Sequence, residues 1–172
     1  MLSFLFPRLT RSGASRGSAL FDALVGEARK AHWFIEGQVP DTLDGRFAVM
    51  TTIVALATVR LERGGEQAQA AAVALAERFV EAMDAEHRQM GIGDPALGKA
   101  VRKLVGALSR RVELWRQTIE RADGWGDAIS GSLFRDATPS PEALGRCEQV
   151  LRDCWARLEA PSDEDLAEGR IG

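Results

Sequence analysis

The side chains that could carry chemistry are few. Two carboxylates stand three residues apart in VPDTLDGRF, at Asp41 and Asp44, and two glycine–acid stretches, GIGD at 91–94 and DGWGD at 123–127, follow later. Paired acids can serve general acid–base work. Here neither a cofactor motif nor a partner nucleophile accompanies them, since the chain has no GxxxxGK[ST] and no HExxH. No catalytic residue is assigned, and an enzyme is not expected. The two histidines, His32 and His87, lie at no ligand spacing from Cys147 or Cys154. They are read as ordinary helix residues, so neither metal nor other cofactor is expected. The cysteines sit seven apart in one predicted helix, roughly 10 Å at 1.5 Å per residue, beyond disulfide reach; both are read as small core residues.

The elements that hold these residues are helices. Apolar positions recur at three and four, with no sustained strand alternation. The spacing predicts helices over about 18–36, from just after Pro40 to Gly64-Gly65, over 66–90, from Asp94-Pro95 to about 122, a short one over 127–134, and a last from Ser140-Pro141 to about 159. The expected fold is all-α: one bundle-like domain of five to six helices, without a sheet, over residues 18–160. Residues 1–17 are expected as a flexible N-terminal segment and 161–172 as a loose acidic tail.

A chain of 172 residues is long enough to bury a core without staples. Its net charge of -3 excludes bulk attraction to nucleic acid, and no DNA partner is expected. The longest uncharged run, 47–59, has 13 residues, against about 20 for a membrane span. It reads as a helix buried in the middle of a protein. At the N-terminus Phe4 and Phe6 precede Arg8, Arg11 and Arg16. That order is wrong for a secretory signal but suits contact of the aromatics with a bilayer surface, the alternative being a frayed tail or one docked on the domain. In the fourth predicted helix Val101, Leu104, Val105, Leu108, Val112, Trp115 and Ile119 share one face, and Lys99, Lys103, Arg110 and Arg121 line the opposite one. Such a stripe is a solvated face, or a surface for anionic lipid, RNA phosphate or an acidic partner.

VPDTLDGRF, the apolar helix after it, FVEAMDAEHRQMGIGD and PALGKAVRKLVGALSRRVELW together resemble the ubiquinol–cytochrome c chaperone family, assembly factors for the cytochrome bc1 complex of mitochondria and alphaproteobacteria. The resemblance runs over about 20–120, is of the alphaproteobacterial kind, and is not followed beyond about Asp123. It departs in the absence of tyrosine and in Pro95 after GIGD. It implies a non-catalytic helical protein that binds newly made cytochrome b, with a small helical partner in the mitochondrial case. The implied place is the bacterial cytoplasm, peripheral to the cytoplasmic face of the inner membrane or near the ribosome; in a eukaryote it would be the matrix side. The residues implicated are Pro40, Asp41, Thr42, Asp44, Gly45, Arg46 and Phe47, and then Asp84, Arg88, Gly91, Gly93, Asp94, Gly98 and Lys99. Two readings of them stay open. Arg46 pairs with Asp84 or Asp94 in a structural clasp between helices two, three and four, or the same junction is the client or partner site. The alternative function is a helical adaptor that binds RNA, ribosome or anionic membrane through the basic face.

Overall fold

In the computed structural model the described residues are 11–89, 91, 94–135 and 137–172, and for 11–16, 87, 94, 95 and 97 only the backbone is described. The elements in order are α1 (Arg11–Ala28), a 3-10 turn (Ala31–Trp33), α2 (Leu43–Glu62), α3 (Glu66–Gln89), α4 (Asp94–Arg121), α5 (Trp125–Leu133), α6 (Pro141–Glu159) and α7 (Asp163–Ala167). Among the described residues there is no strand, and no helix is long and apolar enough to cross a membrane. The spacing GxSxG does occur, as Gly13-Ala14-Ser15-Arg16-Gly17, but it lies inside α1. A nucleophile elbow needs a strand-to-helix turn, so this serine has no such setting.

The bundle is built around α2. From Ala48 to Leu61 only Met50 and Arg60 are not buried, because α1, α3, α4, α5 and α6 all pack against this helix. A helix that is apolar all round has no solvent face to offer. Its buried threonines solve their own hydrogen bonding within the helix: the hydroxyls of Thr51, Thr52 and Thr58 donate to the carbonyls of Phe47, Ala48 and Val54 at 2.7, 2.8 and 2.8 Å. Gly64 and Gly65 end the helix, and α3 returns antiparallel. The α3–α4 turn follows, with Gly91 in the left-handed region at φ +78°, the conformation glycine adopts most cheaply. At the far end Trp115 is fully enclosed, its ring edge-on to Trp125 at 5.2 Å and its indole N–H donating to Ser132 Oγ.

Three expectations are corrected. The first helix ends at Ala28, short of Glu36, because Trp33 turns into the core, where its indole N–H donates to the Glu27 carbonyl at 3.1 Å. A straight helix could not satisfy that contact. Residues 11–17, expected as part of a flexible segment, are helical, and Gly17 lies so close to α3 that a β-carbon there would stand 2.5 Å from the Ala74 carbonyl oxygen. The end of the chain is docked and not loose. Asp163 pairs with Arg60 at 2.9 Å and accepts the Gly65 N–H at 3.0 Å, while Leu166 is fully buried. The short α7 thus brings the helix number to seven among the described residues. Phe4 and Phe6 lie outside the described residues.

The two cysteines are buried and unpaired. Burial pushes the thiols up to about 11 for Cys147 and about 12 for Cys154, which removes thiolate reactivity at neutral pH.

One charge is buried at the α1–α6 contact. Glu27 is 6% exposed and holds Lys30 at 2.7 Å and Arg157 at 2.9 Å. Burial by itself raises its carboxyl, but the hydrogen bonds from Lys30 and Arg157 and their charges outweigh that, so it sits below the ordinary carboxylate range. Its stabilising contribution is therefore complete above the unfolded-state value of about 4.3 and is lost as pH falls through the lower folded value. Glu27→Gln is expected to cost about 2 kcal/mol at pH 7. Urea unfolding of both proteins from pH 7 to pH 3 checks this, and the gap should narrow at the acid end.

Candidate functional site

The stretch VPDTLDGRF forms a tight entry to α2. Thr42 caps the helix, its Oγ1 accepting the Gly45 N–H at 3.1 Å. The chain folds back so closely that a β-carbon on Gly45 would stand 1.9 Å from the Pro40 carbonyl oxygen. That close approach is why a glycine occupies the first turn of this helix despite its cost of about 1 kcal/mol. The fold-back also brings Asp41 to Arg46, Oδ1 to Nε at 2.7 Å, with both side chains more than half exposed. The Arg46 guanidinium then lies 5.7 Å from the centre of the Phe34 ring.

The ion pair expected between Arg46 and Asp84 is not formed. Asp84 is taken by Arg88 one turn along α3, at 2.9 Å, and the side chain of Asp94 lies outside what is described. The reason is local: a carboxylate five residues away is delivered to Arg46 by the turn itself, and a nearby partner needs no tertiary contact.

The turn forms one wall of a groove of about 1020 Å³. Leu43, Asp44, Arg46, Phe47 and Met50 line it from α2, Phe34 and Ile35 from the segment after α1, Met83 and Glu86 from the end of α3, and Ala96, Ala100, Lys103, Leu104, Ala107 and Arg110 from α4. Ala28, Arg29, Ala31, Asp41 and Arg135 complete it. The floor is apolar, with Leu104 and Ala107 buried and Phe47 half-buried against Phe79 at 6.2 Å. The rim carries charge and two unusual apolar residues. Ile35 is 72% exposed and Leu43 60%, and both belong to this groove. Large apolar side chains left in water beside a recessed apolar floor make this groove the candidate interaction site.

The structure thus brings together two features that were separate in the sequence. Asp41, Asp44, Arg46 and Phe47 of the first motif share the groove with Lys103 and Arg110 of the basic stripe. Pro40, Thr42 and Gly45 shape its edge without lining it. Asp84, Arg88, Gly98 and Lys99 lie outside it, Gly91 ends α3, Arg121 is exposed at the last residue of α4, and Gly93 is not among the described residues. Sequence reasoning missed Arg29, Phe34, Ile35, Leu43, Met50, Met83, Glu86 and Arg135. Only the exposure of Ile35 and Leu43 distinguishes them, and exposure is not visible in a helical pattern. Among the described residues no group of three His, Cys, Asp or Glu side chains is placed to hold a metal ion.

Comparison with known proteins gives one family and one structure. The family model described as ubiquinol-cytochrome C chaperone matches residues 36–171. The match takes in the last 50 residues, where the sequence resemblance had not been followed. The crystal structure of the Cbp3 homolog from Brucella abortus is similar over the full chain, with a TM-score of 0.79, 28% identity, and coverage of 100% of this chain and 96% of that one. No curated protein matches.

Gly45→Ala is expected to lower stability by roughly 2 kcal/mol or more, because backbone must move to admit the methyl group. Arg46→Ala, which removes an exposed ion pair and a contact with the Phe34 ring, should shift the urea midpoint only slightly. A large loss in Arg46→Ala would restore the structural clasp as its role.

Proposed function

Because the chain belongs to the ubiquinol–cytochrome c chaperone family, we propose that it assists assembly of the bc1 complex by holding newly made cytochrome b, and that the groove at the start of α2 receives a segment of that client. The observation that carries this reading is the groove's composition. An apolar floor between helices, with Ile35 and Leu43 exposed at the rim, suits the apolar face of a segment that has not yet reached its own partners. Covering each of these two side chains would contribute about 1–2 kcal/mol. Holding by mass action alone needs no nucleotide, in keeping with a non-catalytic role. The setting proposed is the bacterial cytoplasm, beside the cytoplasmic face of the inner membrane, where a small helical partner could join. The adaptor reading is the weaker one. Lys103 and Arg110, half of the basic stripe, lie in the groove wall, so the stripe does not present itself as a separate face for RNA.

Photocrosslinkers placed at Ile35 and Leu43 in cells should capture cytochrome b, and one at Glu164 on α7 should not. Capture of ribosomal components alone from the groove positions would overturn the client reading in favour of the adaptor. Ile35→Asp with Leu43→Asp should change stability by no more than about 0.5 kcal/mol and should lower the amount of assembled bc1 complex, read by its haem spectrum.

A further inference from the structure

The groove is charged unevenly. Near its α5 end stand Arg110 and Arg135, both exposed, with Arg111 behind them, while Lys103 lies two turns back along α4, about 10 Å at 1.5 Å per residue, and no described carboxylate forms an ion pair with any of the four. Arg111 is the most telling. Its guanidinium donates to the carbonyls of Ser132 at 2.9 Å and Ala107 at 3.5 Å, and its Nε is buried without a partner. The carbonyl dipoles of Ser132 near the end of α5 and of Ala107 in α4 orient it, but they do not neutralise it. Burial, then the charges of Arg135 and Arg110, pull its proton affinity down to about 10, so it stays cationic at neutral pH. A charge held there is screened less than one in water and adds to the field of its two neighbours. Around the rest of the rim the balance is different. Arg46 is matched by Asp41, and the lining there also holds the carboxylates Asp44 and Glu86 beside the single further cation Arg29.

We propose that the Arg110–Arg135 end of the groove is an oxyanion subsite that takes an acidic side chain of the bound segment and so fixes the direction in which that segment lies. The proposal rests on the client reading above and adds the charge pattern of the client. From Ala96 to Arg110 the α4 wall is about 21 Å long at 1.5 Å per residue, room for about four turns of a bound helix. A carboxylate at one end would meet the forked donors of Arg110 and Arg135 and relieve their mutual repulsion with Arg111. A basic residue at the other end would meet Asp44 and Glu86. This two-ended rim suits a peptide better than the uniformly negative surface of an anionic bilayer, which Asp44 and Glu86 would repel.

Two fluorescent, end-blocked helical peptides of about four turns, sharing one leucine face and carrying either two Glu or two Gln at one end, test this by anisotropy with the full chain. The Glu peptide should bind about tenfold more tightly at low salt. R110Q/R135Q, checked for folding by circular dichroism, should bind the two alike. Equal affinity for the wild type, or binding of neither peptide, overturns the subsite. Only the second outcome also questions the groove, and crosslinking from Ile35 decides that separately. Arginine-dependent binding of phosphatidylglycerol vesicles with no preference between the peptides would assign the arginines to lipid phosphate and overturn the proposal.

Discussion

A helix without a polar face imposes the arrangement of everything around it. α2 has to be covered on every side between Ala48 and Leu61, and five helices are spent doing so. Only its first turns escape enclosure, because the VPDT turn and the ends of α3 and α4 do not close over Leu43, Phe47 and Met50. The groove is the part of that surface left uncovered. Its apolar floor is continuous with the core, which gives it stiffness, and its rim is supplied by whichever charged residues border the gap.

Charge is handled in two ways within the same fold. At Glu27 a buried carboxylate is matched by two cations and contributes to holding α1 against α6. At Arg111 a partly buried cation is given only carbonyl oxygens, and its charged neighbours are cations too. Leaving a buried charge unpaired is costly unless something compensates it. Paired cations elsewhere in the fold follow the first pattern: Arg60 with Asp163, Arg116 with Glu62 and Glu113, Arg152 with Glu148.

Membership in the ubiquinol–cytochrome c chaperone family and the all-α fold set the frame for these features. Relatedness to the Brucella abortus Cbp3 homolog extends through the whole chain, so the C-terminal helices belong to the same unit as the motif-bearing ones. The docking of α7 by Asp163 and Leu166 shows how: a short acidic segment closes the α2–α3 corner, where Arg60 would otherwise lack a carboxylate.

What the sequence determined by itself is six of the seven helices among the described residues and most of their ends. Pro141 after Ser140, the pair Gly64-Gly65, and Gly91 after α3 act through local backbone preference, which needs no neighbour to be read. It also marked VPDTLDGRF as unusual, and Gly45 does admit a close backbone approach. What it did not reveal are the facts that depend on distance in space. Trp33 breaking the first helix and the acidic end docking on Arg60 are each settled by which groups come within hydrogen-bond reach once the helices pack, whereas Arg46 took Asp41 over Asp84 through the turn itself. The groove is of the same kind. Ile35, Leu43, Lys103 and Arg135 become one surface only because α2 lies beside α4, and no periodicity within a single helix encodes which faces of different helices will share an edge.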